Sequence, residues 1–158
     1  MSRAYAAQTT VSSENSRAEI ERTLARYGAD GFGYGWKDGQ GAIVSFSISD
    51  RQIRFTLELP ARDAEEFLYT PAKRERRSPE NARKAYDQAV RQKWRALALV
   101  IKAKLEAVAS EIVEFDQEFM AHIVLPDGQT VGDHALPAMA RALEGGEVPP
   151  MLPDYSKD

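Results

Sequence analysis

The chain has 158 residues, 43% apolar and 28% charged, which suits one domain with its own hydrophobic core. It holds no cysteine, so a disulfide framework, a thiolate zinc site and thiol chemistry are excluded. The net charge of −3 averages over a segregation: residues 71–104 carry 11 basic and 3 acidic side chains, residues 105–158 carry 2 and 11, and residues 1–70 carry 8 and 10. A basic middle points to an anionic partner, nucleic acid first among them. The competing reading is that the basic and acidic parts neutralise each other within the fold or between subunits.

Residues 1–11 read as a polar, flexible lead-in without the apolar stretch of a secretory signal. No run reaches the roughly 18 apolar residues a membrane span needs. A soluble, cytoplasmic protein without membrane contact is therefore expected. The domain proper is expected over residues 12–144. Ser16 and Glu19 form a capping-box pattern, and Ile20, Thr23, Leu24 and Tyr27 recur at helical spacing up to Gly28. These residues predict a short amphipathic helix.

Three strands follow. Phe32, Tyr34 and Trp36 alternate with Gly31, Gly33 and Gly35, and Asp38-Gly39 is a hairpin signal. Ala42, Val44, Phe46 and Ile48 alternate with Ile43, Ser45, Ser47 and Ser49, and Ile53, Phe55, Leu57 and Leu59 with Gln52, Arg54, Thr56 and Glu58 after a tight turn at Asp50-Arg51. This pattern predicts an antiparallel meander with helices over one face. The glycines make a G-x-G-x-G run, but a phosphate-binding loop needs them between a strand and a helix. Here they sit in a strand, where missing side chains leave room for a backbone, a helix or a planar base. The aromatics are either core or a platform on which single-stranded bases stack.

Residues 63–69 are consistent with a short helix and residues 70–77 with a basic connector. Ser78 and Pro79 predict a helix start, and the stripe Tyr86, Val90, Trp94, Leu97, Ile101, Leu105, Val108 and Ile112 carries it to about residue 112. Trp94 lies in the stripe and is expected in the core, while Arg83, Asp87, Arg91 and Arg95 are expected on the far side. Such a length suggests that part of the stripe buries a second copy of the chain. A strand over residues 118–125, a turn at Pro126-Asp127-Gly128 and a helix from about His134 to Glu144, capped by Asp133 or a neighbour, complete the domain. Residues 145–158 form a Pro/Gly-rich acidic tail, extended or disordered, with Met151-Leu152 a possible partner motif.

The predicted fold is α+β: short helix, three-stranded antiparallel meander, long amphipathic helix, then a C-terminal hairpin and short helix. Lys73, Arg74, Arg76, Arg77, Arg83, Lys84, Arg91, Lys93 and Arg95 are the candidate phosphate-binding residues, with Tyr34 and Trp36 as stacking residues. A solvated basic linker is the bland alternative for the run. Two histidines, His122 and His134, with scattered carboxylates make no specific metal pattern, and no catalytic constellation is evident. No enzyme activity, cofactor or metal is expected.

The order of elements resembles two nucleic-acid modules, the double-stranded RNA-binding domain and the Rad52-like single-strand annealing fold of phage recombinases. The long helix and basic stretch favour the second, a resemblance of topology. At the level of residues, 16–24 with Tyr27-Gly28, and 123–128 with Thr130-Val131-Gly132, are similar to a conserved protein of phages and prophages. Those resemblances imply recombination, DNA handling or the blocking of host defence. The expected function is a non-enzymatic protein that binds nucleic acid, single-stranded DNA above all, as an annealing homo-oligomer. The alternative is an interaction protein that inhibits a host or anti-phage defence factor through its acidic surface.

Overall fold

The computed structural model describes residues 6–37 and 41–157. Its order is α1 (Ser13–Arg26), β1 (Gly31–Lys37), β2 (Gly41–Ile48), β3 (Arg51–Leu57), α2 (Glu65–Leu68), α3 (Pro79–Ala109), α4 (Phe115–Phe119) and α5 (Val131–Gly145). The predicted α+β architecture is therefore observed. Of the lead-in, residues 1–5 lie outside the described residues; Ala6 is buried, and the Gln88 side chain of α3 donates to the carbonyls of Ala7 and Thr9.

α1 starts earlier than its sequence pattern suggests. The Ser12 hydroxyl accepts from the Asn15 amide at 3.1 Å and caps the helix. Ser16 consequently lies inside the helix, fully buried beside Ile20 and Leu24, and Glu19 pairs with Arg95 instead of closing a capping box. A better-placed serine one turn upstream took the cap.

The sheet is the order β1-β2-β3, antiparallel throughout, with Phe32 opposite Phe46 and Val44 opposite Phe55. Ser49 and Asp50 both have positive φ, the conformation a two-residue hairpin turn requires, so the second turn sits one residue before its expected place. The predicted Asp38-Gly39 turn lies outside the described residues. Gly41, which re-enters the sheet at φ +105°, has no room for a side chain: a Cβ would stand 2.5 Å from the Leu57 carbonyl.

α1 and α3 cover one face of the sheet, and Ile20, Leu24, Val44, Phe46, Ile53, Trp94, Ile101 and Phe119 meet there with almost no solvent exposure. The other face carries Gly33, Gly35, Ile43, Ser45, Ser47 and Thr56, and nothing lies within 4 Å of a Cβ built on Gly33 or Gly35. Glycine in a strand packs nothing of its own, so this stretch of sheet is open.

Ser78 caps α3 and Pro79 opens it, as predicted. Its 31 residues span about 46 Å at 1.5 Å per residue. The apolar stripe is covered within the chain: Phe67 packs on Tyr86, Tyr34 on Trp94, and α1, the sheet and Phe119 on the remainder. Only Ile112, 75% exposed, escapes, and it lies beyond the Ser110 C-cap. The stripe therefore needs no second copy to bury it, contrary to the sequence expectation.

The predicted strand over residues 118–125 is replaced by α4 and a 3-10 turn, Met120–His122. Glu114 and Gln117 make a reciprocal capping box, and Phe115 and Phe119, one turn apart, stack at 4.7 Å. Only Ile123 and Val124 form isolated bridges, to Ile53 and Thr130. The turn at 126–128 is present, with Gly128 at φ +82°. α5 begins at Val131 because Thr130 is its N-cap, with Asp133 as the third-position partner of a capping box. Gly146, in the left-handed conformation, ends it. Among the described residues no helix is long and apolar enough to cross a membrane.

Candidate functional site

One groove of about 480 Å³ brings the exposed ring of Trp36 together with Arg17, Arg62 and Arg91. Its walls are the first turn of α1, the end of β1, the segment after β3 and residues 86–94 of α3. Phe32, Tyr34 and Trp36 share the face that the helices cover, yet exposure rises along the strand: Phe32 is half-buried, Tyr34 49% exposed and Trp36 67% exposed. β1 is an edge strand whose last turn of aromatics runs out beyond the helices. Trp94, by contrast, is buried as predicted and meets the Tyr34 ring edge-on at 6.0 Å.

Three arginines surround these rings. Arg17, on the face of α1 that also carries Ile20 and Leu24, lies 5.1 Å from the Tyr34 centroid and 5.0 Å from that of Trp94. Its side chain is only a fifth exposed, and Glu14 at 3.3 Å is its carboxylate partner. Arg62 lies over the Tyr86 ring at 5.0 Å. Arg91 donates through Nε and Nη2 to the Gln88 carbonyl oxygen, at 3.2 and 2.6 Å. That anchor is a neutral amide, so the guanidinium is oriented without its charge being cancelled. The lining carboxylates are Glu14 and Asp87. The α1 backbone amide holds the Glu14 carboxyl below its usual range, with Arg17 adding to the effect.

Of the sequence candidates, Tyr34, Trp36 and Arg91 come together here. Asp87 and Arg91 line the groove and Arg95 reaches Glu19 of α1, which corrects their expected place on the far side of α3. Four residues exceed one helical turn by about 40°, so a row spaced by four winds around the helix onto the α1 flank. Arg95 is paired rather than available. Arg77 donates to the carbonyls of Glu66 and Phe67 and so fastens the connector to α2. Arg74 pairs with Glu65 at 3.1 Å and Lys84 with Glu80 at 3.0 Å, both on exposed surface where such pairs contribute little. Lys73, Arg76, Arg83 and Lys93 are exposed and make no ion pair among the described residues. Arg83 lies in α3 one turn before Asp87, and Lys73 and Arg76 lie in the connector that precedes the helix. Lys93 lines a separate hollow with Pro60 and Gln92.

Asp116 pairs with Arg51 and Asp133 with Arg54, both from β3, while Lys104 and Glu118 at 2.8 Å form the one bridge from the basic segment to the acidic one among the described residues. The histidines are held separately. His122 stacks on Phe55 at 4.0 Å, and burial, then the Lys104 charge, lowers its pKa. His134 contacts Asp127 at 2.7 Å; the Gln129 backbone amide first, and then His134, hold Asp127 below its ordinary pKa. The tail returns to this point, where burial first and then the Asp127 charge raise the pKa of Tyr155. Among the described residues no group of three or more such side chains could hold a metal ion.

Arg17 and Arg62 were not among the sequence candidates. Arg17 carries a signal in retrospect, a charge at helical spacing on the same face as Ile20 and Leu24. Arg62, in a connecting segment, carries none. No protein-family model matches this chain, and no curated protein or solved structure is found to be similar to it.

Proposed function

We propose that the protein binds single-stranded nucleic acid and catalyses no reaction on it. The observation that carries this reading is Trp36, two-thirds exposed at the end of an edge strand beside three arginines. An indole in water is a platform for an unstacked base, and base–aromatic stacking contributes about 1–3 kcal/mol per base. A duplex offers no such base. Arg17, Arg62 and Arg91 line the groove beside Glu14 and Asp87, and guanidinium groups meet the phosphates of a passing strand by fork-like hydrogen bonds. Lys73, Arg76 and Arg83 extend the track along the backbone. The test is a gel-shift and tryptophan-quenching titration with single- and double-stranded oligonucleotides at two salt concentrations. Single strands are expected to bind more tightly than duplex and to weaken with salt. No binding at low salt, or binding indifferent to salt, overturns the reading.

The resemblance to annealing proteins extends the proposal to strand annealing in phage-type recombination by a homo-oligomer. Light scattering tests that extension: a ring supports it, and a monomer removes it while leaving strand binding intact. A second reading, an interaction protein acting on a host or defence factor, is favoured by one feature. Leu136, Met139 and Leu143 are exposed at helical spacing on α5, within the acidic third of the chain. If that face binds a protein, Leu143→Lys abolishes co-purification of a stoichiometric partner without changing oligonucleotide binding.

A further inference from the structure

Asp87 is the residue of the groove that phosphate binding does not explain. It is exposed on α3, lines the groove with Trp36 and Tyr86, and makes no hydrogen bond or ion pair among the described residues. The groove's other carboxylate is engaged, since Glu14 accepts from Arg17 and from its own backbone amide. Arg91, one turn along, is held on Gln88. An ionised carboxylate only accepts hydrogen bonds, and beside a phosphate it repels. Its place in this groove is accounted for when the ligand itself presents donors.

Among the parts of a deoxynucleotide within a strand, those donors are on the base. Cytosine and adenine present an exocyclic amine, and guanine an amine next to a ring N–H. Thymine and uracil present a single N–H between two carbonyl oxygens, which meet a carboxylate with like partial charge. A carboxylate accepting from the cytosine amine is an established mode of base readout. Resting on the single-strand reading above, we infer that the groove selects amino-bearing bases over thymine and uracil, and that Asp87 is the residue that selects.

The comparison that isolates this is oligo-dC against oligo-dT of equal length. Both are pyrimidines, so stacking favours neither strongly and the carboxylate decides. Tryptophan quenching at mildly basic pH, where cytosine stays unprotonated, is expected to show oligo-dC bound about tenfold more tightly. Asp87→Asn should abolish the difference and leave oligo-dT binding equal or tighter, because an amide both donates and accepts and carries no charge. The side chain is exposed, and an unchanged melting temperature of the variant verifies the fold. Equal affinities in the wild-type protein, or a preference that survives Asp87→Asn, overturn the inference and leave single-strand binding standing. Binding of neither oligonucleotide overturns both.

Discussion

Replacing Ser16 by alanine is expected to stabilise the protein. Its hydroxyl is fully buried and has no hydrogen-bond partner among the described residues. An unsatisfied buried polar group costs about 1–3 kcal/mol. Alanine also has the higher helix propensity, by about 0.5 kcal/mol in a helix interior. Some packing is lost with the oxygen, so a net gain of about 1–2 kcal/mol follows from these contributions. For a chain of this size that raises Tm by about 3–6 °C. Urea denaturation should show a higher midpoint at an unchanged slope. The sequence pattern taken alone makes Ser16 an N-cap, whose loss would destabilise by about 1 kcal/mol, so the two accounts differ in sign. Ser12→Ala is the control and should be destabilising by that amount. A destabilised Ser16→Ala protein would show that the hydroxyl is bonded and refute the reasoning.

Trp36→Ala should weaken oligonucleotide binding by about 5- to 100-fold at constant salt, as loss of one stacked base implies, with Tm unchanged because the ring is mostly in solvent. An unaltered affinity would remove Trp36 from the site. Gly41→Ala should be destabilising by about 2 kcal/mol or more, whereas Gly33→Ala should be neutral or slightly stabilising, since its added methyl meets nothing. Equal effects on urea midpoints would contradict the geometry. His122 has a folded pKa below its ordinary value, so the unfolded chain takes up its proton first as pH falls. Stability from this residue is full above the ordinary imidazole range and declines as pH drops through it, visible in urea midpoints between about pH 7.5 and 5.5. His122→Phe keeps a ring on Phe55 and should flatten that slope.

The parts of the fold that could be read from sequence are those where local signals agree. Ser78-Pro79 opens α3 because cap and first-turn chemistry act within three residues, and the meander follows from period-two alternation at Val44, Phe46, Ile53 and Phe55. The failures arose where two local solutions compete. Ser12 and Ser16 both resemble caps, and burial of the second settled the choice. Residues 118–125 alternate well enough for a strand, but the Glu114–Gln117 box and the stacked Phe115 and Phe119 start a helix first. The site was half legible. Tyr34, Trp36 and Arg91 carry recognisable chemistry, and residues within the basic run do too. Which cations remain available is a tertiary fact. Arg77 and Arg95 look identical in sequence to Arg76 and Arg83, yet the first two are engaged by α2 carbonyls and Glu19.

The tether from Gln88 has a practical side. One amide group holds both the backbone before α1 and the guanidinium of Arg91, donating to Ala7 and Thr9 while accepting from the arginine. A truncation to Val11 would remove the buried Ala6 but spare the Ser12 cap and the main core cluster, so the shortened protein is expected to fold. It would nonetheless leave that amide free to rotate and the arginine without a fixed direction. Purification tags are therefore better carried at the C-terminal end, and binding constants measured on trimmed material would describe a looser groove than the one the full chain builds.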